Sequence, residues 1–216
     1  MTAPDLGLLL DRTMTGDRRH VEKITVAAAV VSEVLRRRGM RTTLVGGGAI
    51  EFYAPDAYAT SDLDLIVEGR PRADIDAALT DFGFARRGRH WVRGDLFVEV
   101  PGTVMSDPVE EMSAGGMPLR VVRREVVLAD RVIGFKHWKV TGYGAQAVAL
   151  LAAMRDSTDE RLLRERVRAE HAEDALDVLW AMARSAAPVD ETGLRAVLDH
   201  LGSIDPNPIP ERGSDG

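Results

Sequence analysis

Two aspartates that alternate with apolar residues, shortly after a run of glycines, constrain this chain more than any other feature. Residues 61–67 read Ser-Asp-Leu-Asp-Leu-Ile-Val, which predicts a strand. Because successive side chains of a strand point to opposite faces, Asp62 and Asp64 should share one face while Leu63 and Leu65 enter a core. Neighbouring carboxylates repel each other, and a divalent cation between them removes that repulsion. The segment therefore predicts a site for Mg²⁺, which prefers oxygen ligands.

The glycines before this strand predict the other half of such a site. Residues 41–45 predict a strand, Gly46, Gly47 and Gly48 predict a turn, and residues 49–53 predict a helix. Glycine lets the backbone approach a ligand closely, and a helix N-terminus presents N–H groups and the positive end of a dipole. We therefore predict that the backbone of Gly46 and Gly47 binds phosphate.

A glycine pair followed by Asp-x-Asp on a strand resembles the DNA polymerase β-like nucleotidyltransferase superfamily, and within it the small bacterial branch of AbiE-type and MenT-type toxins. That family carries a third carboxylate on a neighbouring strand between hydrophobic residues, and Glu99, between Val98 and Val100, matches it. Asp95 shares the predicted strand face with Glu99 and is the alternative third carboxylate. The resemblance spans residues 40–100 and, more loosely, residues 130–180.

The resemblance implies an enzyme that transfers a nucleoside monophosphate from a nucleoside triphosphate (NTP) to a hydroxyl group. It implies two Mg²⁺ or Mn²⁺ ions, with Asp62 and Asp64 bridging both and Glu99 holding the ion beside the attacking hydroxyl. The acceptor would be an RNA 3′ end, a protein or a small molecule, and a toxin would have a cognate antitoxin. The alternative is a nucleotide-binding or protein-interaction module without catalysis on the same fold.

The residues just before the acidic strand match the toxin-like branch in part. That branch commonly shows Arg-x-Thr-x-Asp-x-Asp, and here Thr60 occupies the Thr position while Tyr58 stands where the Arg would be. A hydroxyl of Thr60 or Ser61 could donate a hydrogen bond to phosphate. The alternative is that both residues simply end the loop, as turn-favoured residue types do.

The second half of the chain contributes a lysine and an aspartate to the resemblance. Residues 120–139 contain six basic and two acidic residues, a balance that suits a triphosphate or a nucleic acid. In the toxin-like branch a helix after the sheet carries a phosphate-binding Lys, and a later Asp supports the site. Lys136 and Asp174 match these positions, with Lys139 and Asp177 as alternative registers. Ordinary surface charge on amphipathic helices is the competing interpretation.

Composition narrows the class of protein further. The chain has 216 residues, a net charge of −6 and no cysteine, which excludes disulfides and thiolate metal sites and fits a cytoplasmic location. No apolar run approaches the roughly 18 residues of a membrane span, and the N-terminus lacks a signal-peptide pattern. The histidines show no HExxH spacing, so we expect no zinc site.

Apolar periodicity and the resemblance together predict an α/β (α+β) fold. We expect a small mixed β-sheet of the nucleotidyltransferase type flanked by helices, with a C-terminal helical bundle. The predicted domains are a nucleotidyltransferase core with an N-terminal helix at residues 1–128, a helical region at 129–202 and a disordered tail at 203–216.

Three further segments have weaker patterns. We predict an irregular loop over residues 103–118, because serine, proline and glycine recur there. Residues 119–122 and 125–128 predict one more pair of strands or a single bent strand. Residues 159–184 predict one long helix, because apolar residues recur at helical spacing.

Overall fold

The computed structural model describes residues 2–55, 58–60, 62–185 and 189–204. Ser61, which we predicted to bind phosphate, and the predicted tail beyond residue 204 lie outside the described residues. The chain divides into two compact units, Met1–Val127 and Leu128–Gly216.

The first unit is a mixed sheet with helices packed on it. Its elements in chain order are α1 (Ala3–Thr15), α2 (His20–Arg36), β1 (Arg41–Val45), α3 (Gly46–Tyr53), β2 (Asp62–Glu68), α4 (Arg72–Asp81), β3 (Ala85–Arg87), β4 (His90–Arg93), β5 (Leu96–Gly102), β6 (Val109–Ala114) and β7 (Met117–Val122). The described strands form one seven-stranded sheet in the order β3-β4-β5-β2-β1-β7-β6. Strand β2 is parallel to β5 and β1 is parallel to β7, whereas β1 and β2 are antiparallel. The predicted mixed sheet is confirmed.

Strand β2 lies at the centre of this sheet, and its apolar residues alternate with polar ones. Leu63, Leu65 and Val67 are fully buried on one face, so the aspartates of the same strand leave the sheet on the other. Helix α2 packs against β1 and β7 with an almost continuous apolar surface, which includes the fully buried Val30 and Val31. The interior of the first unit thus fixes which face carries the carboxylates.

Glu33, in the last turns of α2, joins two arginines of the same helix end. Its carboxylate accepts hydrogen bonds from Arg36 Nε at 2.6 Å and from Arg37 Nε at 2.8 Å, although the residue is only 7% exposed. The hydrogen bond from Arg36 is the main cause that lowers the pKa of Glu33 from 4.5 to about 2, and Arg37 adds to it. The ionised form of Glu33 is therefore favoured in the folded protein.

We expect Glu33 to make the free energy of unfolding fall as the pH drops from about 4.5 to about 2. Because the pKa of the folded state is lower than that of the unfolded state, the contribution is complete above this window and is lost within it. Glu33→Gln should remove this pH dependence of the free energy of unfolding. The change should amount to only about 1 kcal/mol, because water screens the charge of the exposed Arg36. Urea unfolding of both proteins across the window measures the difference. Identical pH profiles would contradict the assignment.

The described part of the second unit is helical. Helix α5 (Arg124–Trp138) crosses the division, and α6 (Thr141–Ala153), α7 (Glu160–Ala169), α8 (Glu173–Arg184) and α9 (Glu191–Ile204) follow. Helices α8 and α9 both pack against α6, and Leu150, Leu176 and Leu179 are fully buried. None of the helices in the described ranges is long and apolar enough to cross a membrane. The predicted C-terminal helical region is confirmed.

The predicted loop over residues 103–118 is wrong for its second half. Strands β6 and β7 form an antiparallel hairpin there, and only residues 103–108 lack regular structure. Gly115 and Gly116 form the turn with φ values of +57° and +76°, which glycine adopts readily. Strand β6 lies at the sheet edge, and only Ala114 of its six residues is buried, so its apolar pattern is too weak to mark a strand.

Two other predictions were also wrong. Residues 125–128 belong to α5 and form no strand, because Val126, Val127 and Leu128 are buried as a helical surface. Residues 159–184 form two helices, α7 and α8, and no single helix. The chain breaks at His171, which adopts a left-handed φ of +54°, and Ala172 N–H bonds back to Val167 O at 2.8 Å. Periodicity could not reveal this break, because no glycine or proline marks it.

Candidate active site

The register between β2 and β5 brings the predicted carboxylates together on one face of the sheet. Asp64 lies directly opposite Glu99, and Asp62 lies opposite Phe97. Paired residues on neighbouring strands project from the same side, so Asp62, Asp64 and Glu99 share a face. All three are half-buried, whereas Val98 on the opposite face of β5 is fully buried. The sheet therefore forms an acidic surface where the sequence predicted one.

Of the two candidates for the third carboxylate, only Glu99 lies beside Asp64. Asp95 belongs to the turn between β4 and β5 and is exposed. Strand β5 starts at Leu96, one residue too late to include Asp95 in the face that carries Glu99.

Gly46 lies against the carboxylate of Asp64. Its φ is +58°, and a Cβ atom at this position would lie 2.2 Å from Asp64 Oδ2. Val45, the residue before it, pairs with Asp64 across β1 and β2. Both the backbone conformation and the close approach therefore require glycine at this position.

We predicted that the three glycines form a separate turn before a helix, and this prediction is wrong. Helix α3 starts at Gly46 itself, so Gly46, Gly47 and Gly48 make up its first turn. Val45 occupies the N-cap position and has no side-chain oxygen to accept their N–H groups. The first turn of α3 thus places N–H groups without a side-chain cap and the positive end of the helix dipole next to the acidic surface.

Thr60 lies directly beneath these glycines and is 8% exposed. A Cβ at Gly47 would lie 3.0 Å from Thr60 Oγ1. This hydroxyl donates to Asp62 O and accepts from Asp62 N–H, both at 3.2 Å. The hydroxyl that we predicted to reach phosphate therefore fixes the start of β2, and its contact with phosphate stays a prediction.

Two residues that sequence reasoning missed hold Thr60 in place. Glu51 on α3 is 2% exposed, and its Oε2 accepts a hydrogen bond from Thr60 N–H at 3.1 Å. His20 Nε2, at the start of α2, lies 2.7 Å from Thr60 O. The only sequence signal was a glutamate between the apolar residues Ile50 and Phe52, and His20 lies too far along the chain to be associated with it. Together they orient the residues that lead into Asp62.

Glu99 also has neighbours that the sequence did not reveal. Its Oε2 lies 3.3 Å from Arg89 Nε and 3.2 Å from His90 Nε2. His90 is the residue of β4 directly opposite Glu99. The guanidinium of Arg89 supplies compensating positive charge beside Glu99, and the ring of His90 lies on the side of Glu99 away from β2.

The donor set of the acidic surface fits Mg²⁺ or Mn²⁺ in its chemistry, because Asp62, Asp64 and Glu99 offer only carboxylate oxygens. The carboxylate of Asp64 occupies the space that a Cβ atom of Gly46 would fill, so only glycine lets Asp64 lie this close to the start of α3. Within the described residues, no group of three or more His, Asp or Glu side chains is arranged to hold a metal ion. Glu99 Oε2 faces Arg89 and His90, so an ion shared by all three carboxylates requires Glu99 to change its rotamer.

The structure brings the predicted pair of the second unit together. Lys136 Nζ donates to both oxygens of Asp174, at 2.8 and 3.0 Å, and to His171 O at 2.6 Å. The alternative residues lie elsewhere: Asp177 accepts from Arg164, and Lys139 follows the end of α5 with a φ of +54°. Of the candidate residues, Lys136 and Asp174 are thus the two that contact each other. Their contact with a nucleotide stays a prediction.

We expect a double-mutant cycle with Lys136→Met and Asp174→Asn to give a coupling free energy of about 1 kcal/mol. Lys136 has a side chain only 12% exposed and binds both carboxylate oxygens, although Asp174 is 39% exposed. The exposed helical pair Arg161–Glu165 is the matched control, with an expected coupling below about 0.5 kcal/mol. Equal coupling in urea unfolding would show that the Lys136 pair is ordinary surface charge.

Comparison with known proteins identifies the fold. No protein-family model and no curated protein sequence matches the chain. The antigenic nucleotidyltransferase-like protein of Paracoccidioides brasiliensis is similar in structure with a TM-score of 0.51 and 13% identity, over 72% of this chain and 91% of that one. ANT(2")-Ia in complex with adenylyl-2"-tobramycin gives a TM-score of 0.47 and 17% identity, over 69% and 99% of the two chains. The solution structure of the antibiotic-resistance factor ANT(2'')-Ia gives a TM-score of 0.39 and 17% identity, over 80% of this chain and 93% of that one. The fold is nucleotidyltransferase-like, as predicted.

Proposed function

We propose that this protein is a metal-dependent nucleotidyltransferase that transfers a nucleoside monophosphate from an NTP to a hydroxyl group. One observation carries the proposal: Asp64 lies between Gly46 and Glu99 on the acidic face of a nucleotidyltransferase-like fold. Phosphate-binding backbone and metal-binding carboxylates are the two parts that nucleotidyl transfer requires, and here they adjoin.

Each residue of the site has a role that its position supports. Asp62, Asp64 and Glu99 would hold two Mg²⁺ or Mn²⁺ ions, which when bound neutralise the charge of the triphosphate. The N–H groups of Gly46 and Gly47 would bind its phosphates, since they start helix α3 beside Asp64.

Glu99 would also receive the proton of the attacking hydroxyl, because it is half-buried and next to Asp64. His90 and Arg89 would stabilise its negative charge before transfer. Thr60, held by Glu51 and His20, keeps the start of β2 in position, so the aspartates need no reorganisation when the nucleotide binds.

The acceptor would be an RNA 3′ end, a protein side chain or a small-molecule hydroxyl. The resemblance of the Asp-x-Asp segment to the AbiE-type and MenT-type branch favours RNA or protein. On that reading the protein acts in the cytoplasm as the toxin of a toxin–antitoxin pair, with a cognate antitoxin as its protein partner. Lys136 and Asp174 would then contribute to nucleotide binding, as their counterparts in that branch do.

A second candidate function is nucleotide binding or protein interaction without catalysis. Its support is the position of Glu99, whose carboxylate is already matched by the cationic groups of Arg89 and, when protonated, His90. A carboxylate neutralised by the protein itself has less affinity for a metal ion. In that case nucleotide would bind without being transferred.

A labelling assay distinguishes the two functions. Each α-³²P-labelled NTP is incubated with Mg²⁺, total RNA and cell lysate, with wild type, Asp62→Ala/Asp64→Ala and Asp95→Ala. Asp95→Ala is the matched control, because it removes an exposed carboxylate in the turn just before β5. Label transferred by wild type and by the control, but not by the double variant, would support the enzyme and reveal the acceptor class.

The other outcomes are equally informative. Binding of Mg²⁺·NTP in calorimetry without transfer to RNA, to protein or to any small molecule of the lysate would support the non-catalytic candidate. Neither binding nor transfer with any NTP would contradict both nucleotidyl transfer and nucleotide binding.

A further inference from the structure

A cavity in the first unit lies away from the acidic surface. It has a volume of about 290 Å³ and is formed by the last turns of α2, the start of β1 and the β6–β7 hairpin. Its walls are Ser32, Glu33, Arg36, Met40, Arg41, Thr42, Glu111, Pro118, Leu119 and Arg120. It opens at the Arg41 end of β1, whereas the glycines of the candidate active site follow the Val45 end. Nothing in the proposed nucleotidyl transfer uses it.

The inner wall of this cavity is apolar, with one unpaired hydroxyl. Met40 and Leu119 are 3% and 1% exposed, and Pro118 lies beside them. Ser32 is 6% exposed, and its buried Oγ has no hydrogen-bond partner in the described part of the chain. An unpaired buried hydroxyl is unfavourable by about 1–3 kcal/mol.

Two arginines at the cavity form long ion pairs with the same carboxylate oxygen. Arg41 Nε and Arg120 Nη1 lie 3.3 and 3.4 Å from the same oxygen, Glu68 Oε2. Both distances exceed the roughly 2.7–2.9 Å of a good charge-assisted hydrogen bond. Each guanidinium carries five N–H donors, so a single shared oxygen leaves most of their hydrogen-bonding capacity for another acceptor.

We propose that this cavity binds a small organic carboxylate with an apolar tail. Its apolar body would lie on Met40, Pro118 and Leu119, and its carboxylate would accept hydrogen bonds from Arg41 and Arg120. The volume equals that of roughly ten water molecules in the liquid, which suits a chain of about eight carbons. The proposal is independent of the nucleotidyl transfer.

Octanoate tests the proposal against two probes of the same length, 1-octanol and octylammonium. Calorimetry should show saturable binding of octanoate at least about tenfold tighter than that of 1-octanol, because the alcohol lacks the charge-assisted bonds. Octylammonium should not bind. In methyl-¹³C-methionine spectra, octanoate should shift the signal of Met40, which Met40→Leu identifies.

Substitutions of charged residues at the cavity test where the carboxylate of octanoate binds. Arg41→Gln, at a side chain 66% exposed, should weaken octanoate binding about threefold without affecting folding. Glu111→Gln should strengthen binding, because it removes a repelling carboxylate from the cavity wall. Arg87→Gln is the matched control on β3, at the opposite edge of the sheet, and should change nothing.

Four results would each overturn the proposal. They are no saturable binding of octanoate, equal binding of 1-octanol or octylammonium, an unmoved Met40 signal, and equal affinities for Arg41→Gln and Arg87→Gln.

Discussion

Asp64→Asn should reduce nucleotidyl transfer about a hundred- to a thousandfold while the protein stays folded. The substitution keeps the size of the side chain beside Gly46 and removes only the charge that faces Glu99 and Asp62. Because the asparagine fills the same space at this half-buried position, the protein should remain folded at the temperature of the assay. Initial rates of transfer from labelled NTP, with melting curves of the same samples, measure both effects.

Asp95→Asn is the control for this substitution, since it makes the same chemical change at an exposed turn. It should retain the rate of the wild type. If Asp64→Asn were as active as the control, the acidic surface would be an incidental feature of a half-exposed strand.

Among the glycines that the structure describes, Gly46 should be the one at which substitution by alanine is most damaging. At a φ of +58° an added Cβ is strained, and it would lie 2.2 Å from Asp64 Oδ2, so the carboxylate must move. A displacement of about 1 Å at a catalytic group costs roughly a hundredfold in rate. We therefore expect transfer to fall about a hundredfold, together with a loss of about 2–4 kcal/mol of stability from backbone strain and crowding.

Gly94→Ala separates these two causes. Gly94 has the same φ of +58°, but an added Cβ there meets nothing within 4 Å. Gly94→Ala should lower the free energy of unfolding only by the about 1–2 kcal/mol that backbone strain costs, and it should leave transfer unchanged. Urea unfolding and initial rates of the two variants make the comparison, and equal losses of rate would show that crowding of Asp64 is irrelevant.

Local pattern was sufficient to predict the elements whose two faces differ in burial. Strand β2 alternates Asp62, Leu63, Asp64 and Leu65, and the sheet buries the leucines fully. Where polar and apolar residues alternate along a strand that is buried on one face, the sequence and the structure agree.

Contacts between distant parts of the chain could not be predicted in this way. Glu51 looks like an ordinary helix residue, and only the fold shows that it accepts the N–H of Thr60. The same holds for His90, which the β4–β5 register places opposite Glu99. The choice between Glu99 and Asp95 also depended on where β5 begins, which strand periodicity alone does not determine.

The central claim is that Asp62, Asp64 and Glu99 together bind the metal ions of a nucleotide complex. The most direct measurement is a crystal of the protein with Mn²⁺ and a non-hydrolysable NTP analogue, examined by anomalous scattering. The account predicts a manganese peak about 2.2 Å from an oxygen of each of the three carboxylates, with phosphate at the N–H groups of Gly46 and Gly47. Nucleotide bound without manganese at these carboxylates, or manganese bound elsewhere while Glu99 stays on Arg89 and His90, would contradict it.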